Sequence, residues 1–477
     1  MNMKLNKSIV ATLLCTVALM GCKSTPVEET ILVPTPPMGW NSFDSYGTYL
    51  YEDAAMKNLE AFAEKLAPHG YKYYVIDAGW FGEYNLVPGT LYPAEKHAKN
   101  LNINEYGLLQ PSKTYFPNGL KPIADRCHEL GLKFGVHIMR GIPRVSVKKN
   151  TPVKGTEYHA QDIADTTSIC KWCEQNYGVD MTRPGAQAFY DSWIAQLAEW
   201  GVDFIKADDI VPFPAEVGAV AKGIKNCGRD IVLSLSPGGF VDDSQLDFFK
   251  MANMLRVTHD IWDEQIGLDQ CFKAWRKWQG KEGPNFFIDM DMIPFGELQV
   301  MSPVPAGLNG SESHAVIKQM KKDGKLKNVE LLSGKGFHRQ SQFTQDEMRT
   351  FITMRALAAS PLMMGGNLLT IDDFSLSLLT NAEMIACNQN AVMGSLKYDQ
   401  NKIEIWNTPK KNSNEGWIGV FNRNAKEPQQ YVISTSELGL ANDQYVLKDI
   451  WGNAELSFNQ EVLIPANGVI FIKYTNK

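Results

Sequence analysis

The chain is short of charge bias. Its 477 residues carry 47 Lys and Arg against 53 Asp and Glu, a formal net charge of -6. There is no sustained basic block, and the short runs Lys321-Lys322 and Lys410-Lys411 read as solvated faces. That balance argues against a nucleic-acid partner. Cysteine is scarce too, with 8 residues. The CxxC Cys170-Lys171-Trp172-Cys173 lacks the second CxxC or paired histidines that a zinc site needs, so it reads as a structural loop or a disulfide. A glycine-rich phosphate loop, an internal repeat and an apolar run of comfortable membrane-spanning length are all missing. What remains is ordinary globular composition, 44% hydrophobic and 21% charged, with length for a large domain and a smaller one.

Residues 1–21 read as a targeting segment. Lys4 and Lys7 give a positive start, Ile9 to Met20 a short apolar core, and Leu19-Met20-Gly21-Cys22 resembles a bacterial lipobox. The expectation is an exported lipoprotein, periplasmic or at the cell surface, held to the membrane by lipid on Cys22, with residues 22–37 as a tether. A plain secretory signal is the alternative. Export permits disulfides among Cys127, Cys170, Cys173, Cys227, Cys271 and Cys387.

From about residue 38 to 391, short β-branched and aromatic runs alternate with helical periods, the pattern of parallel strands joined by helices. Eight strands are predicted: Met38 to Trp40, Tyr73 to Asp77, Lys133 to Ile138, Phe204 to Asp208, Ile231 to Ser236, Leu255 to Thr258, Asn285 to Met290 and Leu362 to Gly365. Helical stretches include Gln345 to Ala359, opened by the capping box Thr344-Gln345-Asp346-Glu347. Eight such units fit a (β/α)8 barrel; a doubly wound sheet is the competing architecture. The barrel predicts chemistry at strand C-terminal ends, where Asp77, His137, Lys206, Asp208, Ser236, Asp260, Asp289 and Asp291 fall. Residues 392–477 change texture to short alternating runs, Lys402 to Trp406, Trp417 to Phe421, Gln430 to Ile433, Gln444 to Ile450 and Gly468 to Tyr474. These predict a small antiparallel β-sandwich with a structural role. The stretches Leu86 to Asn118, Arg144 to Thr182 and Pro303 to Gln340 are predicted to be loop insertions over the barrel mouth.

Phe204-Ile205-Lys206-Ala207-Asp208-Asp209 is an apolar run that ends abruptly in a lysine and two carboxylates, and Leu255-Arg256-Val257-Thr258-His259-Asp260 ends similarly. Two strands can thus each deliver a carboxylate to one point, the minimum for acid/base or nucleophilic work on a glycosidic bond. Alternation puts Lys206 on the same side as Asp208 and turns Asp209 away, so Asp209 reads as an ordinary salt-bridged strand end.

Taken with Pro36-Pro37-Met38-Gly39-Trp40-Asn41-Ser42-Phe43, Tyr74-Val75-Ile76-Asp77-Ala78-Gly79-Trp80, Asp289-Met290-Asp291-Met292 and Ala358-Ala359-Ser360-Pro361-Leu362-Met363, these strand ends make the chain resemble glycoside hydrolase family 27, the α-galactosidase family. The resemblance implies a barrel with a C-terminal β domain, retention of anomeric configuration and no obligatory cofactor or metal. It implies Asp208 as nucleophile and Asp260 as general acid/base. Asp260 would hold its proton through partial burial beside a negative Asp208. Trp40 is implied as a stacking wall for the sugar, and Asp77, Lys206 and Arg256 as polar contacts, with Asp289 and Asp291 in support.

Three positions depart from the family pattern. Asp77-Ala78 replaces two consecutive aspartates that grip O4 and O6 of galactose. Strand three ends in His137-Ile138-Met139-Arg140, and strand five in Ser236-Pro237-Gly238-Gly239. The expected substrate is therefore a terminal α-galactose or a galactose-like sugar such as an N-acetylgalactosaminide, a β-L-arabinopyranoside or a modified galactoside. His137, Arg140 and Arg144 could form a substitute polar rim or simply anchor loops. A non-catalytic glycan-binding lipoprotein is the remoter alternative, opposed by the presence of both Asp208 and Asp260.

Overall fold

The computed structural model describes residues 31–237 and 241–477. The expectations placed on the targeting segment, on Cys22 and on Gly238 and Gly239 lie outside those residues.

Eight parallel strands form the first layer: β1 (Met38–Asn41), β2 (Tyr73–Ile76), β3 (Lys133–Met139), β4 (Phe204–Asp208), β5 (Val232–Leu235), β6 (Met254–Arg256), β7 (Phe287–Asp289) and β8 (Leu362–Met364). Their order is β7-β6-β5-β4-β3-β2-β1-β8. A single parallel bridge, Ile293 with Met364, joins the continuation of β7 to β8 and closes the barrel. All eight fall where the apolar runs predict them, so the doubly wound alternative is set aside.

Alternation sorts each strand into two faces. Val75, Phe204, Val232, Met254, Phe287 and Met363 cluster together as the barrel interior. Their neighbours Tyr74, Ile205, Leu233, Leu255 and Ile288 join the larger core beneath the helices. The interior residues two or four positions further along change from apolar to charged: Val75 leads to Asp77, Phe204 to Lys206 and Asp208, Met254 to Arg256. The lower barrel is thereby filled by packing and the upper end by polar groups.

The three predicted insertions carry structure of their own. The second contains a three-stranded antiparallel sheet, Ile142–Pro143, Ala164–Ile169 and Asn176–Val179, whose central strand is the last. The C-terminal domain holds a six-stranded sheet, β9-β10-β11-β16-β13-β14, and a two-stranded one, β12-β15. These are β9 (Ser395–Gln400), β10 (Ile403–Pro409), β11 (Gly416–Asn422), β12 (Gln429–Val432), β13 (Tyr445–Asp449), β14 (Ala454–Leu456), β15 (Glu461–Ile464) and β16 (Val469–Asn476). β9, β14 and β15 are additions to the expected set. The domain is fastened to the barrel helices Gln265–Trp278 and Gln345–Leu357. Trp275 stacks on Trp406 with centroids 3.7 Å apart, Thr408 Oγ1 donates to Leu357 O at 2.8 Å, and Trp451 Nε1 donates to Thr353 Oγ1 at 2.8 Å. A desolvated aromatic pair contributes about 1 kcal/mol beyond its area. All six cysteines from Cys127 to Cys387 are free, so neither the Cys170/Cys173 pair nor the others form the permitted disulfides.

Candidate active site

The strand ends and the three insertions enclose a cavity of about 620 Å³. Asp77, His137, Lys206, Asp208, Arg256 and Asp260 all line it, together with Phe43, Asp44, Ala78, Trp262 and Asp291. Its outer wall comes from the insertions: Lys96 and His97, Trp172 and Cys173, His314 and Lys335.

At the buried end, Lys206 Nζ and Asn41 Nδ2 both donate to Asp77 Oδ2, at 2.8 and 2.7 Å, and the Ala78 N–H donates to Oδ1 at 2.8 Å. Burial alone would raise Asp77, but the charge of Lys206 wins and holds the carboxyl below its usual range. The same contest at Asp208 has the same outcome. Burial opposes the anion, yet His137, whose Nε2 lies 3.3 Å from Oδ2, and the charges of Arg256 and Lys206 keep Asp208 well below the ordinary carboxylate range. A carboxylate held this firmly ionised at the inner end of a cavity is suited to nucleophilic attack on carbon.

Across the cavity, Arg256 Nη1 is 3.1 Å from both Asp260 Oδ1 and Asp291 Oδ1, and the Ile261 N–H fixes the other oxygen of Asp291 at 2.7 Å. Asp291 itself sits in left-handed backbone, φ 76°. It therefore supports the site by orienting Arg256. Asp289 stands behind it, accepting the Asp291 N–H at 2.9 Å. The Asp260 side chain is 63% exposed, so the partial burial expected of it is absent; it reaches the cavity from the solvent side.

Four expectations need correction. Trp40 is fully buried: its ring stacks on Tyr74 at 4.8 Å and its Nε1 donates to Gly366 O at 2.8 Å. Its Cβ points outward to the helices, so it has no face for a sugar. Phe43, the first residue of the short helix Phe43–Tyr46 that follows β1, is the aromatic ring that lines the cavity there, with Lys206 Nζ 5.8 Å above its ring and Trp262 beside it at 6.4 Å. Ser236 is buried, its N–H given to Ala207 O at 2.8 Å, and Pro237 lines the cavity in its stead. Arg140 forms no rim: it is buried behind the strands between Asp209 and Glu216, at 3.0 and 2.9 Å. Arg144 packs over the Tyr177 ring at 4.7 Å, away from the cavity lining.

Sequence reasoning passed over Asp44. It is 1% exposed, its Oδ2 has no partner, and burial followed by the charge of Asp291 raises its carboxyl well above the usual range. Thr48 Oγ1, His137 Nδ1 and Arg256 Nε are further buried polar atoms of lining residues without partners. Unsatisfied groups of this kind are costly in a structural core and cluster where a polar ligand is received.

A closed barrel with paired carboxylates, cations and aromatic rings around one mouth cavity defines a hydrolase of carbohydrate. No family model matches the chain. It is similar to the α-galactosidase of Cyamopsis tetragonoloba, 25% identical over 439 residues that cover 90% of this chain and 83% of that one. It is also similar to α-galactosidase A of Cellvibrio japonicus, 24% identical with 95% of each covered. Among solved structures, the family 27 β-L-arabinopyranosidase of Geobacillus stearothermophilus superposes with a TM-score of 0.80 at 36% identity, covering 93% of this chain and 97% of its own. The chain belongs to glycoside hydrolase family 27 and is a glycoside hydrolase of the galactosidase type.

Proposed function

We propose that this enzyme removes a terminal galactose-configured pyranosyl residue from an oligo- or polysaccharide by double displacement with retention. The observation that carries this reading is the contrast in placement across one cavity: Asp208 is nearly buried and held as an anion among His137, Lys206 and Arg256, and Asp260 stands at the solvent side where a leaving group departs. The Asp208 carboxylate attacks the anomeric carbon while Asp260 gives its proton to the departing oxygen, leaving a glycosyl-aspartate and an alcohol. Asp260, now ionised, takes a proton from water as that water attacks the anomeric carbon, which frees Asp208. Asp77, Lys206 and His137 receive the hydroxyls, and Phe43 offers a face to the ring's C–H side.

The glycone that fits best is β-L-arabinopyranose, which repeats the configuration of α-galactose from C1 to C4 and has no C6. Ala78 lines the cavity where a second carboxylate would grip O6, and the Geobacillus arabinopyranosidase, at 36% identity, is more similar than the Cyamopsis and Cellvibrio α-galactosidases named above. Plain α-galactosides are the second, poorer substrate. Nitrophenyl β-L-arabinopyranoside and nitrophenyl α-galactopyranoside separate these: higher kcat/KM on the arabinoside is expected, and turnover of neither would sink the reading. Proton NMR of the first product tests retention.

We further propose that the chain is exported and anchored by lipid on Cys22, on the strength of Leu19-Met20-Gly21-Cys22. Labelling with radioactive palmitate should vanish in Cys22→Ala; undiminished label would refute the anchor.

A further inference from the structure

We propose that Trp172 is the platform of an aglycone subsite, built to stack on the sugar that follows the scissile bond; this deepens the reading above and rests on it. Trp172 lines the cavity and is 51% exposed. The other aromatic rings of the lining are held by the fold. Trp262 is 4% exposed, packed against Phe43 and under the Arg339 guanidinium, and Tyr84 is 5% exposed, edge-on to Tyr49. A large indole left half in water at a cavity mouth is an amphipathic surface awaiting a partner.

Its position decides the kind of partner. The cavity has a polar end, where Asp77, Lys206 and Asp208 are nearly buried, and an open end, where Asp260, Lys96, His97 and Trp172 meet solvent. The glycone occupies the first, and the leaving oxygen faces Asp260, so whatever is attached to that oxygen extends toward the open end. The strip carrying Trp172 is also braced. It is the short connection between the paired strands Ala164–Ile169 and Asn176–Val179, with Cys170 buried on one side and Cys173 against the cavity on the other. A ring carried on such a short connection has its backbone already placed, which lowers the entropic cost of binding, as suits an anchor. The C–H face of a pyranose is the ligand that matches, apolar in the middle and hydroxylated around its edge, and Gln175, Lys96 and His97 line the same cavity as polar partners for those hydroxyls.

The test compares substrates that share a glycone and differ in what leaves. With the glycosyl fluoride there is no aglycone ring to stack. Trp172→Ala should change its kcat/KM little, while kcat/KM on the matching disaccharide falls roughly 10-fold or more, as for the loss of one anchoring aromatic; Trp172→Phe should recover most of it. Equal losses on both substrates, or none on the disaccharide, would overturn the proposal. Calorimetry in the Asp208→Asn background supplies a readout free of turnover. Trp172→Ala should weaken the disaccharide roughly 10-fold and leave the free monosaccharide unaffected; weakening of both alike, or of neither, overturns the platform. Wild-type enzyme that hydrolyses none of these glycosides would instead remove the reading of the site on which the subsite rests.

Discussion

Asp208 and Asp209 are adjacent at the end of one strand and are put to opposite uses. Asp208 turns into the barrel, where His137, Lys206 and Arg256 hold it ionised while His137 Nδ1 and Arg256 Nε lack partners. Asp209, in left-handed backbone at φ 55°, turns outward into a closed cluster. Arg140 gives it Nε and Nη2, gives Nη1 to Glu216 at 2.9 Å, and lies 3.4 Å over the Phe213 ring; Tyr190 completes Glu216 at 2.5 Å. Both clusters are buried and charged. The one whose hydrogen-bonding capacity is used up holds the fold, and the one with capacity left over faces a ligand.

The largest effect should come from the open cluster. Asp208→Asn keeps shape and hydrogen bonding but removes the charge that forms the covalent intermediate, so kcat should fall at least roughly 1,000-fold with little change in thermal midpoint. Unchanged turnover would take Asp208 out of the nucleophile's role. The closed cluster should respond the other way. Arg140→Met strands two buried carboxylates, and removing one partner of such a network costs about 3–5 kcal/mol. Guanidinium unfolding should show that loss while KM of the folded enzyme stays near wild type; a KM that rises with an unmoved midpoint would reverse the assignment of the two clusters.

pH separates Asp208 from Asp289, behind Asp291, by sign. Asp208 is depressed in the folded state, so its contribution is present above the unfolded value near 3.9 and is lost as pH drops below that. Asp289 runs opposite. Burial, then the charge of Asp291, pushes it up to about 6, so between about pH 4 and 6 the native state keeps a proton that the unfolded chain has released. Stability should therefore fall as pH rises through that window, by a term on the order of 2–3 kcal/mol. Asp289→Asn should flatten that segment of a midpoint-against-pH curve; a slope that persists would assign it to other carboxyls.

The barrel was readable because its interior alternation is strict: an apolar strand that ends in Lys206 and Asp208 has one orientation that leaves the charges unburied in hydrocarbon. Phase was also enough to have set Trp40 aside, since Gly39 and Asn41 share the inward face and Trp40 shares Tyr74's outward one; Phe43 lies beyond the strand, on the first turn of the helix Phe43–Tyr46, where alternation no longer applies. Asp44 carried no such signal; its isolation arises from packing against Gly365 and from Asp291, residues distant in sequence. Asp260's exposure depends likewise on how the loops after β6 and β7 sit. In the C-terminal domain, β9 was missed because Ser395–Gln400 is mostly polar and bulged against β10, and β14 and β15 because they are short and half exposed.

The smallest effect sharpens the open cluster itself. Ala78 is half-buried beside Asp77, its N–H already committed to Asp77 Oδ1, so a side chain added there projects into the cavity without breaking that bond. Ala78→Asp would supply an acceptor for a C6 hydroxyl and, on a β-L-arabinopyranoside, a carboxylate with nothing to bind. A site built to bond a hydroxyl discriminates against the analogue that lacks it, while crowding a second anion against Asp77 limits the gain. The ratio of kcat/KM for α-galactoside over arabinoside should therefore rise, by about 10-fold, through loss on the arabinoside as much as gain on the galactoside. A ratio that does not move would place C6 recognition at Asp44 or Trp262, on the other wall of the cavity.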